Sequence, residues 1–210
     1  MTWYQWIFWI SLAATGVLTG VKLIRLVRRG SPPDLALPKG PVRPAIRYAF
    51  TGAMNPKAKE SAYLHWPTYI AGIAYHIGTF LALGVAVLVV SGVVLPDTPA
   101  KASAILLLIS GGCGAAILVK RIVKPALRAL SGPDDYLSNI LVTGFQVLTA
   151  GMLITNLPEA AWYLWTAVLL AAIPLGKLKH SFYFFAARRQ LGIFFGRRGV
   201  WPPPMTNPVP

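Results

Sequence analysis

Apolar residues run along this chain in long blocks separated by short polar stretches. Five such blocks, residues 3–26, 67–95, 103–123, 136–156 and 160–186, are dominated by Leu, Ile, Val, Ala and aromatic residues. About 20 apolar residues suffice to cross a hydrocarbon core about 30 Å thick. Backbone groups in lipid have no water to bond, so each block is predicted to be a helix that satisfies them internally. The expected fold is all-α: a polytopic bundle of five transmembrane helices within residues 1–198, a long loop at 27–66 and a proline-rich tail at 199–210. The first block has no basic leader and no small-residue cleavage motif, so it is expected to stay as a helix.

Charge adds an orientation. Of the 210 residues 55% are hydrophobic and 12% charged, which excludes a disordered chain. The formal charge is +14, and nineteen of the twenty Lys and Arg close or follow the first, third and fifth blocks; only Lys101 falls on the other side. The positive-inside rule then puts the N-terminus outside and the C-terminus in the cytoplasm. Trp3, Trp6, Trp9, Trp162 and Trp165 are expected as an outer interfacial belt, with Trp66 and Trp201 near the inner surface. So basic a face follows from topology and anionic membrane lipid, or it docks a cytoplasmic protein. Docking is favoured by the prolines of "GSPPDLALPKGPVRP" and of the tail "GVWPPPMTNPVP", since extended chain of this kind can lie along a partner. "RPAIRYAFTGAMNP" reads as a short interfacial helix, and no nucleic-acid-binding motif accompanies the charge. Cys113, the single cysteine, sits in "SGGCGAA" and reads as a packing residue among glycines that let helices approach.

The candidate chemistry lies in histidines. "YLHWPTYIAGIAYHIGTF" holds His65 and His76; "PLGKLKHSF" holds His180, the third and last. At 1.5 Å of rise per residue, His76 falls about 8 Å to the cytoplasmic side of its helix midpoint and His180 about 12 Å. Two imidazoles at similar depth on antiparallel helices can hold a haem iron between them. His65 falls about 25 Å from the same midpoint, at the headgroups. Three histidines cannot make a second bis-histidine haem, and Met152 and Met54 are poor substitutes by position. Gly78 is expected to let a flat macrocycle lie against the helix. Lys177 and Lys179, with Arg47 or Arg121, are expected to meet its propionates. A quinone is expected on the cytoplasmic half, walled by Tyr69, Tyr75, Phe182 and Tyr183, with His65 as a hydrogen-bonding partner or proton acceptor.

"YHIGTF" in the second block, "PLGKLKHSFYF" in the fifth, five helices and a basic cytoplasmic tail resemble the membrane cytochrome b subunit of respiratory nitrate reductases, the gamma subunit. That family includes the membrane subunits of heterodisulfide reductase and of the complex associated with dissimilatory sulfite reduction. The likeness spans about residues 63–198. It implies the inner membrane of a prokaryote, haem b, and menaquinone or ubiquinone as substrate. It maps the family's inner-haem ligands onto His76 and His180. The outer-haem ligands would fall at Ala86 and Trp162, so both are missing, which fits one haem. The implied partner is a cytoplasmic iron–sulfur subunit of the heterodisulfide-reductase type.

The expected function is therefore that of a quinone-linked electron-transfer subunit, catalytic only within a complex. No acid–base dyad, nucleophile triad or phosphate loop points elsewhere. The competing reading is a non-redox membrane scaffold or anchor without haem. A transporter is disfavoured, because no charged residue occupies a block centre.

Overall fold

The computed structural model describes residues 1–30, 34–58, 62, 64–155 and 157–203. Several sequence expectations touch residues outside that set: Ser31–Pro33, Lys59, Tyr63, Asn156 and the tail from residue 204 on. The described residues are helical, without strands. They divide into two compact units: residues 1–20 with 67–179, and residues 21–66 with 180–210. Among the described residues, four helices are long and apolar enough to cross a membrane, or five if the broken fifth block counts as one span.

In the first unit, α1 (Trp3–Arg29) contributes its part through Gly20. After it come α3 (Trp66–Val90), α4 (Asp97–Val123), the short α5 (Pro125–Ala129), α6 (Pro133–Ile154) and α7 (Glu159–Ala172). The core is aromatic: Trp162 is fully buried, with Phe8, Phe145 and Tyr163 around it at 5.0–6.4 Å between ring centroids. Its indole N–H donates to the Thr149 hydroxyl at 2.9 Å, so the polar edge of a buried ring is satisfied. Trp162 is thus no interfacial anchor, whereas Trp3, Trp6 and Trp9 are exposed on α1 as a belt requires. Trp165 donates to the Leu141 carbonyl at 2.9 Å and packs against Gly144, where a Cβ would lie 2.3 Å from its ring. Small residues bring α4 close to its neighbours: a Cβ on Gly114 would lie 2.3 Å from the Tyr75 ring, and one on Gly111 3.1 Å from Val147. The outward faces carry Ile73, Ile77, Phe80, Ile105 and Ile109, a surface suited to lipid.

The fifth block is not one helix. It divides into α7, a 3-10 turn at Lys177–Lys179, and α8 (His180–Arg197). Pro174 explains the break. It has no amide to give the Leu170 carbonyl, and its ring crowds that carbonyl. Leu170 O instead receives the Thr15 hydroxyl of α1 at 2.7 Å, with the Ile173 amide at 3.2 Å. The start of α6 holds the far side of the break. Asp135 accepts the Gly132 amide at 2.9 Å and pairs with Lys177 at 2.5 Å and Arg121 at 3.4 Å.

The second unit joins α2 (Val42–Phe50) to α8. The seam is built of small residues: Ala45 and Ala49 are wholly buried, and Gly192 and Gly196 face them. A Cβ on Gly192 would stand 2.5 Å from Ile46 Cα, and one on Gly196 2.6 Å from Ala45 Cβ. Charge closes the same seam. Arg198 donates to both Asp34 oxygens at 2.8 and 3.1 Å, and Lys39 N–H donates to the Arg197 carbonyl at 2.6 Å. The helix expected in "RPAIRYAFTGAMNP" is α2. At the described start of the tail, Trp201 packs on Phe195 and Tyr48, at 4.6 and 5.5 Å between centroids. This unit carries thirteen of the twenty basic residues and two of the six acidic ones.

Candidate functional site

His76 stands on the outward side of α3, exposed among Ile73, Ile77 and Phe80. Its ring is held by Nδ1, which lies 2.7 Å from the Gly72 carbonyl one turn earlier. A carbonyl can only accept, so Nδ1 is the donor here, and in the neutral imidazole Nε2 is then the nitrogen with a lone pair. This is the tautomer a metal-ligating histidine adopts when its second nitrogen is fixed by backbone. A Cβ added at Gly72 or at Gly84 would meet nothing within 4 Å. The ring therefore has open surface beside it along the helix.

Tyr75, one residue earlier, turns inward by about 100°. Its hydroxyl lies 3.0 Å from the Thr143 hydroxyl and donates to the Asn139 carbonyl at 3.1 Å. That commitment removes Tyr75 from a quinone wall. Gly78 is likewise on the inner side, because two residues span about 200° of helix. A Cβ there would lie 2.0 Å from Ser110 Oγ and 3.3 Å from Gln146 Oε1. The space beside Gly78 is filled by α4 and α6, so it is no bed for a macrocycle.

His180 is the first residue of α8 and is exposed; it belongs to the second unit, whereas His76 belongs to the first. The break at Pro174 also invalidates a depth for His180 counted at helical rise from the middle of the fifth block. Among the cationic candidates, Lys177 is paired with Asp135, Lys179 is exposed, and Arg47 is exposed in the last turn of α2. Arg121 donates to Ser131 at 2.9 Å besides facing Asp135. His65 is exposed, with its backbone N–H on the Ala62 carbonyl; Tyr69 and Tyr183 are half-buried. Ala86 and Trp162, where the resemblance would put a second pair of ligands, both lie in the apolar core of the first unit.

A polar row on α6 has no counterpart among the residues expected from sequence. Asn139, Thr143 and Gln146 follow at helical spacing and face inward, and Gln146 is fully buried. Their spacing of four and three within an apolar block was the available signal. Among the described residues, no cluster of three or more His, Cys, Asp or Glu able to hold a metal ion is present.

The fold and these surfaces define a class: an all-helical protein with several helices apolar enough to cross a membrane. Comparison with protein-family models, curated proteins and solved structures finds no match.

Proposed function

We propose that this chain is a haem b membrane subunit of a respiratory complex, moving electrons between the quinone pool and a cytoplasmic iron–sulfur partner of the heterodisulfide-reductase type. The observation that carries the reading is the state of His76: an imidazole on an apolar span, with Nδ1–H fixed on Gly72 O and Nε2 turned outward. Burying a histidine at a lipid-facing position has a cost that ligation of iron would offset. His180 is the second ligand in this proposal, with Lys179 and Arg47 as partners for propionates. Lys177 joins them only if it leaves Asp135. When bound, the haem supplies a one-electron carrier. The protein's own part is to fix the imidazole tautomer through the Gly72 carbonyl. One haem rather than two is supported by Ala86 and Trp162, whose surroundings are filled by core side chains.

The quinone, menaquinone or ubiquinone, is placed on the cytoplasmic half, with His65, Tyr69 and Tyr183 as its contacts. The N-terminus is placed outside and the basic second unit on the cytoplasmic side, where its excess of arginine and lysine offers an acidic partner a docking surface. The test is the reduced-minus-oxidised visible spectrum of the purified protein. A haem b band at one per chain is expected, lost in both His76→Ala and His180→Ala and kept in His65→Ala. A wild-type protein with no such band would leave the scaffold reading in its place.

A further inference from the structure

The peptide bond that carries His76 is gripped from inside the first unit. The Tyr75 carbonyl, bonded directly to the His76 nitrogen, accepts the Thr79 hydroxyl at 2.7 Å and the Gln146 side-chain amide at 3.1 Å. The same amide nitrogen lies 2.8 Å from Thr79 Oγ1, so it is shared between that hydroxyl and the Tyr75 carbonyl. From α4, Ser110 donates to the Ala74 carbonyl at 3.1 Å, with the Tyr75 carbonyl at 3.4 Å. Two consecutive carbonyls of α3 are thus tied to two other helices. Gly78 is what allows it, since any Cβ there would occupy the place of Ser110 Oγ.

A helix interior needs no such bonds, because each carbonyl already accepts an amide one turn on. The side-chain bonds here fix something else: the rotation of α3 about its axis and its height against α4 and α6. His76 rides on the opposite side of that same turn. An imidazole nitrogen about 6 Å from the axis would move about 1 Å for a 10° rotation, and ligation geometry is sensitive to displacements of that size.

We propose that Gln146, Ser110 and Thr79 are positioning residues for His76: they set the direction of its Nε2 by clamping the Tyr75–His76 peptide. This rests on the haem reading, and the experiment separates the two. Wild type, Gln146→Leu, Ser110→Ala, Thr79→Val and the control Thr149→Val are purified and compared in haem content. The ferric low-spin electron paramagnetic resonance spectrum and the redox midpoint are recorded for each. Thr149 bonds Trp162 rather than the Tyr75 peptide, so its loss tests a purely structural defect.

The clamp variants should retain haem but shift the largest g value and change the oxidised-to-reduced ratio at fixed potential. The expected change is about threefold to tenfold, tenfold being about 59 mV for a one-electron couple. The control should melt earlier with both readouts unmoved. Clamp variants with wild-type g values and midpoint would overturn the positioning role while leaving the haem reading standing. A wild type without haem would overturn both. Should Gln146→Leu fail to fold, Ser110→Ala and Thr79→Val, which remove far less, decide in the same way.

Discussion

Thr15→Val gives the sharpest test of how the broken fifth block is held. The hydroxyl of Thr15, itself buried, is 2.7 Å from the Leu170 carbonyl, and that carbonyl has lost its ordinary partner because residue 174 is proline. Valine keeps the shape and removes the donor. Interhelical hydrogen bonds in membranes average about 0.6 kcal/mol and reach about 1.7. A buried carbonyl left unpaired loses about 1–3 kcal/mol. The Ile173 amide at 3.2 Å partly covers the vacancy. The expected loss is therefore about 1 kcal/mol, a factor of about five in the folded-to-unfolded ratio. It is measured by titrating the protein with SDS in mixed micelles and following tryptophan fluorescence. The decisive arm is the double variant. In a Pro174→Ala background an amide is restored opposite Leu170 O, so Thr15→Val should become nearly neutral. The coupling should be about 0.5–1 kcal/mol. Equal losses in both backgrounds would refute the idea that Thr15 stands in for the missing backbone bond.

Further outcomes are open to direct measurement. Gly78→Ala should destabilise by about 1–3 kcal/mol through overpacking, and Ser110→Gly in the same chain should recover most of it in the same SDS titration. Gly192→Leu should separate α2 from α8, seen as faster proteolysis of residues 34–50. The Asp34 carboxyl is held below its ordinary value of 3.8, chiefly by the Arg198 hydrogen bond and next by the Ala36 amide. With a lowered folded value, its contribution is complete above the ordinary carboxylate range and is lost as pH falls through the lowered one. Resistance of the second unit to proteolysis by pepsin should therefore fall on acidification below that range in wild type. Asp34→Asn should lack that step and be weaker at neutral pH.

Much of the architecture is legible in the chain because lipid imposes a simple length rule. The four unbroken spans begin and end within a few residues of the apolar blocks, apart from α4, whose first turns take in "DTPAKA". The extent of each unbroken span was readable; direction around a helix was less so. Gly78 follows His76 by two residues and so faces the other way, into Ser110. Trp162 sits at the end of a block, where tryptophan usually marks the interface, but the side it occupies is turned inward. Pro174 was visible in "PLGKLKHSF", yet the apolar run of the fifth block reads as one helix rather than as two divided at that proline. The grip of Gln146 on Tyr75 depends on three helices meeting at one level, and the 164-residue separation of Asp34 from Arg198 hides their pairing from any local pattern.

The α2–α8 seam also has an order in time. Asp34, Ala45 and Ala49 leave the ribosome long before Gly192, Gly196 and Arg198 are made, so the early half of the seam must wait for its mate. Chains normally fold as they emerge, segment by segment. Here the loop after the first helix cannot reach its final packing until the last helix has been released. Newly inserted chains should therefore pass through a stage in which the helices of the first unit are docked and residues 34–50 are still open to proteases or chaperones. A released chain cut short before Gly192 should hold that stage in place, and restoring "GIFFGRR" should end it.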